Sequence, residues 1–212
     1  MKVVMSLTGI ILWGFIIAHL AGNLLIYAGP EIYNHYSEAL KSNAPLLWTV
    51  RLGLIIGFPL HILTAIRTAQ LNRGARPMPY AYANNTPIRP ASRWALWSGL
   101  AILAFLVMHL AQFTWHWGPW QNPPLGADGK VDVYTMAVAA FSDAKISLIY
   151  IIGQLLLAGH LGAGIYGVFQ HLGVWGPSWT PFAKKLGDAI GYGVCGAFIT
   201  IPIAVMAGMV HP

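Results

Sequence analysis

The sequence predicts an all-α membrane protein of five transmembrane helices, on three observations. The chain is 57% hydrophobic and only 8% charged, where a soluble domain carries about 25% charged residues. Its apolar residues gather into five stretches, each meeting the roughly 20 residues needed to cross the hydrocarbon. Each of the first four stretches holds one histidine far from either end. No β pattern competes, and an open sheet could not satisfy its backbone in lipid.

The stretches run at about 3–28, 47–71, 91–115, 144–171 and 182–210. The first is too long for a typical signal core and is read as a membrane span. The whole chain, 1–212, is read as a single transmembrane domain. Within the third connector, Val131 to Phe141 has the character of a short interfacial helix. No internal repeat or low-complexity tract is evident.

The connectors set the orientation. Arg67, Arg73, Arg76, Arg89 and Arg93 flank or fill the second, Lys184 and Lys185 the fourth, and Lys2 the N-terminus. These are eight of the twelve bases. The other connectors hold Glu31, Glu38, Asp128, Asp132 and Asp143, five of the six acids. The positive-inside rule then puts the N-terminus in the cytoplasm and the C-terminus outside. It also accounts for the net charge of +6 without nucleic acid. The proline- and arginine-rich second connector, Asn72 to Pro90, reads equally as a dock for a soluble partner or as a solvated basic loop.

A single cysteine, Cys195, excludes an internal disulfide, a cysteine-ligated cluster and a c-type haem. The histidines carry more. His19, His61, His109 and His160 lie one in each of the first four spans, and polar groups at such depth are costly and normally paired or functional. One alone is as readily a helix–helix hydrogen bond; four in this distribution are not.

At about 1.5 Å per residue from the cytoplasmic ends, His19 and His109 form an outer level and His61 and His160 an inner one, about 8 Å apart. In an antiparallel four-helix bundle with sequential neighbours, spans 1 and 3 are diagonal, as are 2 and 4. Each diagonal pair can therefore sandwich one iron porphyrin, giving two b haems. Glycines around these histidines (Gly9, Gly14, Gly22, Gly159, Gly162, Gly164, Gly167) suit a flat macrocycle, though also ordinary membrane-helix contacts. Propionate donors are sought in Ser6, Arg67, Arg93, Trp94 and His171 on the inner side, and in Arg51 and His116 on the outer. His116, seven residues after His109, is expected on the same helical face. The tryptophans near span ends fit an interfacial belt.

The order of Ser6-Leu7-Thr8-Gly9, His19, Asn23, Arg76-Pro77, Tyr80, His109-Leu110, His160-Leu161, Phe169-Gln170 and Leu172-Gly173 resembles the di-haem cytochrome b anchor of succinate:quinone oxidoreductases. These are the succinate dehydrogenases and quinol:fumarate reductases of respiratory complex II. The resemblance implies an outer haem on His19 and His109 and an inner haem on His61 and His160. It implies a flavoprotein and an iron–sulfur protein on the cytoplasmic face of a bacterial inner membrane, and a quinone, menaquinone for preference. Assembly of the whole complex into oligomers is compatible with it. Tyr36, Glu38, His116 and Trp117 are outer quinone candidates; Ser6, Arg67, Arg93 and Trp94 are inner ones.

Two positions depart from the family's pattern. Ala163 stands where relatives often carry a second histidine, and Ala158 where some fumarate reductases carry a glutamate. The missing acid favours succinate oxidation. The chain has no acid–base set for succinate chemistry itself, so its expected work is electron transfer and quinone binding. Two other readings stand beside this one. The chain could anchor a hydrogenase or formate dehydrogenase, or it could be a transporter whose histidines bind protons or metal. The lack of a deep acidic partner counts against the transporter.

Overall fold

In a computed structural model, residues 1–75, 94–174 and 176–211 are described. Among them the chain is helical, with no strand and a lone bridge between Leu125 and Val131. The helices are α1 (Lys2–Leu24), α2 (Pro30–Ser42), α3 (Ala44–Gly74), α4 (Ala95–Leu110), α5 (Val133–Ser142), α6 (Ala144–His171) and α7 (Trp179–Met206). Five segments are long and apolar enough to cross a membrane: Lys2–Ala28, Ala44–Gly74, Ala95–Trp120, Ala144–His171 and Trp179–Met206. Many of their large apolar side chains point outward, among them Ile55, Ile56, Leu63, Val107 and Leu155. That pattern suits a lipid solvent, where an apolar surface carries no penalty.

Local chemistry explains the boundaries. Asn43, Asp132 and Asp143 each cap a following helix by accepting backbone N–H groups: Leu46 at 3.2 Å, Thr135 at 3.0 Å, and Lys145 at 2.7 Å. Gly29, at φ 96°, turns the chain out of the first span and into α2, which begins on Pro30. The sequence placed no helix over 30–42, because that segment has no long apolar run. The short helix expected at 131–141 is present as α5, but its Tyr134, Ala137, Val138 and Phe141 are buried. They pack with Ile26, Tyr33, Tyr150, Ile201 and Val205 in the main core cluster.

α1 packs against α3 and α6, α4 against α6 and more lightly α3, and α7 chiefly against α6. The first four spans therefore touch in a ring, 1 to 2 to 3 to 4 to 1, with the fifth on the flank of the fourth. The α6–α7 seam is made of small residues. A Cβ at Gly187 would stand 2.5 Å from the Gly162 carbonyl oxygen, and one at Gly191 would stand 2.6 Å from that of Ala158. The two backbones meet there with no room for side chains.

The two ends of the ring are distinct. At one, Ser6 Oγ meets His171 Nδ1 at 3.0 Å. At the other, α2, α5 and the C-terminal segment are tied together. Asn34 donates to Asp132 at 2.8 Å, and the Tyr134 hydroxyl donates to the His211 carbonyl at 2.9 Å. Lys130 pairs with Glu38 in the same region.

Candidate functional site: two pairs of facing histidines

The first four spans bring their deep histidines together in diagonal pairs. The His19 and His109 ring centres lie 5.8 Å apart with planes at 86°. Those of His61 and His160 lie 6.5 Å apart with planes at 71°.

Hydrogen-bond partners fix which nitrogen of each imidazole carries its proton. His61 Nδ1 faces the Met5 carbonyl at 3.2 Å. A carbonyl only accepts, so Nδ1 is the protonated nitrogen. Thr8 Oγ1 is also 3.2 Å from it, and the Thr8 hydrogen is committed to the carbonyls of Val4 or Met5, at 2.8 and 3.0 Å. His160 repeats the arrangement. Its Nδ1 lies 3.1 Å from Ser98 Oγ, Ser98 donates to the Ala95 carbonyl at 3.2 Å, and that carbonyl also bonds the imidazole.

His109 Nδ1 lies 3.2 Å from the Tyr150 hydroxyl. That hydroxyl donates to Gln112 Oε1 at 2.9 Å and therefore accepts from the ring. In His19 it is Nε2 that is engaged, accepting from Asn23 Nδ2 at 3.3 Å. The Asn23 amide is oriented by its bond to the His19 carbonyl at 2.8 Å and by Tyr33, which donates to Asn23 Oδ1 at 3.1 Å. All four histidines thus present Nε2 as the lone-pair nitrogen, the form a metal ligand requires. His61, His109 and His160 have no hydrogen bond to that nitrogen among the described residues. His19 must exchange the Asn23 amide for any ligand it takes.

The spacing within each pair suits two imidazoles on one metal. With a metal–nitrogen bond of about 2 Å and about 1.1 Å more to the ring centre, two imidazoles on opposite sides of one iron have centres about 6 Å apart. Both pairs are close to that. Among the described residues no cluster of three or more histidine, cysteine, aspartate or glutamate side chains could hold a metal ion. An ion taken by either pair must bring its remaining ligands, as the four nitrogens of a porphyrin do. Phe15 stacks on His19 and Phe105 on His109, with ring centres 5.3 and 6.2 Å apart. Each comes from one turn earlier on the same helix.

The other candidates are less gathered. Ser6 and His171 meet at one end of the ring. Arg67 is exposed and reaches Gln70 at 3.4 Å. Trp94 is exposed at the start of α4, and Arg93 lies outside the described residues, as does most of the second connector. Arg51 sits over the Trp48 ring.

His116 is not on the His109 face. A π turn over Ala111–Trp115 breaks the α register, and His116 ends it in a left-handed conformation at φ 51°. Its Nδ1 is buried without a partner among the described residues. Among the outer quinone candidates, Tyr36 lines an open groove with Glu31, Ile32, His35 and Ala39. Glu38, His116 and Trp117 are not part of that groove: Glu38 pairs with Lys130, and the Trp117 ring lies tilted against Trp115 with centres 4.7 Å apart.

Ser98, Gly99 and Tyr150 beside the histidines, and Gln112 behind Tyr150, are not legible in the sequence, since none of them carries a motif of its own in a span. Compared with known proteins, the chain matches no protein-family model, no characterised protein and no solved structure.

Proposed function

We propose that this chain is a membrane cytochrome b that carries electrons through two bis-histidine b haems, one held by His19 and His109 and one by His61 and His160. The observation that carries the reading is the meeting of four deep histidines in two diagonal pairs, each at the spacing of two imidazoles on one iron. His19, His109, His61 and His160 would hold the haem iron, which would supply one-electron redox chemistry when bound.

The chain's own residues do the rest. Met5, Thr8, Ala95, Ser98 and Tyr150 hold imidazole protons on Nδ1 and leave Nε2 to the iron. Ser6 with His171 offers polar groups for a propionate at the inner end.

The motif order extends this to a specific setting. The chain serves as the anchor subunit of a succinate:quinone oxidoreductase in a bacterial cytoplasmic membrane. It passes electrons between a cytoplasmic iron–sulfur subunit, itself docked to a flavoprotein, and a membrane quinone, menaquinone for preference. Ala158, in place of a helix-borne acid, favours succinate oxidation. The basic connectors favour a cytoplasmic N-terminus.

Copurification tests this setting. A flavoprotein and an iron–sulfur protein should travel with the haem-bearing chain. A nickel or molybdenum subunit in their place would make it the anchor of a hydrogenase or formate dehydrogenase. A colourless preparation with proton or metal transport would make it a transporter.

A further inference from the structure

Spans 1 and 3 carry one pattern twice. Thr8-Gly9, then Phe15, then His19 recurs as Ser98-Gly99, Phe105 and His109, with identical spacing. A pattern of hydroxyl, glycine, five residues, phenylalanine, three residues and histidine is short enough to pass unnoticed in an apolar run.

The structure gives each repeated position the same task. The phenylalanine stacks on the histidine one turn later. The hydroxyl meets Nδ1 of the histidine on the next span: Thr8 meets His61 and Ser98 meets His160. The carbonyl three residues before each hydroxyl, Met5 or Ala95, bonds the same imidazole. The glycine faces that ring closely, since a Cβ at Gly9 would stand 3.5 Å from His61 Cε1 and one at Gly99 would stand 3.3 Å from His160 Cε1.

We infer that spans 1–2 and 3–4 are two copies of one ligand-holding unit, in which Thr8 and Ser98 are equivalent positioning residues for the inner histidine pair. The inference rests on the haem reading proposed above. Each hydroxyl accepts the Nδ1 proton of an inner histidine and so raises that imidazole's basicity toward the metal. A more basic pair of axial ligands favours the oxidised iron. Removing either hydroxyl therefore moves the inner haem's midpoint potential upward and leaves the outer haem, whose ligands Thr8 and Ser98 do not touch, where it was. The two hydroxyls meet Nδ1 of their histidines at 3.2 and 3.1 Å, so their removal acts in the same direction.

The test is potentiometric titration of the purified complex, following both haem bands, for Thr8→Val, Ser98→Ala and the exchanges Thr8→Ser and Ser98→Thr. We expect Thr8→Val and Ser98→Ala each to shift the inner couple's equilibrium up to tenfold, about 59 mV for one electron. The outer couple should be unmoved, and both exchange variants should behave as wild type. Loss of the inner haem alone would also support a positioning role, since removing an outer-shell partner costs about 10–100-fold in metal affinity. Three results would overturn the inference: both haems retained at wild-type potentials, equal shifts in both haems, or loss of both. A wild-type complex with no haem would overturn the functional reading as well, which separates the two failures.

Discussion

At the scale of the residue, the protein's chemistry is a matter of where four protons sit. An imidazole buried among apolar side chains can present either nitrogen, and the neighbours decide. Tyr150 decides for His109 by giving its own hydrogen to Gln112 and accepting the Nδ1 proton. Tyr150→Phe should leave that N–H without an acceptor, at a cost of about 1–3 kcal/mol. Under the proposed haem reading it should also raise the midpoint of the His19–His109 haem only, which redox titration with thermal melting would check. A shift confined to the inner haem would mean that Tyr150 does not act through His109. Depth made the four paired histidines legible from sequence, but Tyr150 was not. It lies ten residues before His160 on another level of the bundle, and only the crossing of α4 and α6 brings it to His109. Outside the spans, burial and the neighbouring Tyr36 push the Tyr33 hydroxyl up to about 12. Tyr33 therefore stays a donor to Asn23 throughout the physiological range.

At the scale of the element, caps and small residues set the architecture. Burial alone would raise the Asp132 pKa, but hydrogen bonds from Thr135, Asn34 and Tyr134 outweigh it and hold the carboxyl below its usual value. Such a group stabilises the fold above its unfolded pKa of about 3.9 and loses that contribution as the pH falls through its lower folded value. Asp132→Ala should weaken the α5 cap by about 1 kcal/mol at neutral pH, and the difference from wild type should shrink in acid. A constant difference down to strongly acidic pH would show that its charge is not involved.

The α6–α7 seam makes a sharper prediction. Gly191→Val would force a side chain into the Ala158 carbonyl and separate the helices. Overpacking costs about 1–3 kcal/mol. Cys195, one turn along α7 and buried at 1% exposure, should change from inert to reactive toward a maleimide. Unchanged reactivity would mean that the seam can absorb the extra volume. The five long apolar segments were legible because lipid demands length and hydropathy from each. α2 was not, because its helix rests on Pro30, Gly29 and packing against α5. Nor was the π turn after His109, which no side-chain pattern announces.

At the scale of the whole molecule, depth arithmetic along single helices anticipated which histidines face one another, because four spans in a ring leave few alternatives. The repeated unit of spans 1 and 3 emerged only once the partner of each hydroxyl was known. The central claim is that four histidines on four helices hold two irons in two diagonal pairs. The most direct measurement is a reduced-minus-oxidised spectrum with a haem-to-chain ratio, taken for the wild type and the four single His→Ala variants. The account predicts two b haems per chain. His19→Ala and His109→Ala should lose one and the same haem, and His61→Ala and His160→Ala should lose the other. One haem per chain, no b-type band, or a haem shared by His19 and His61 would contradict it.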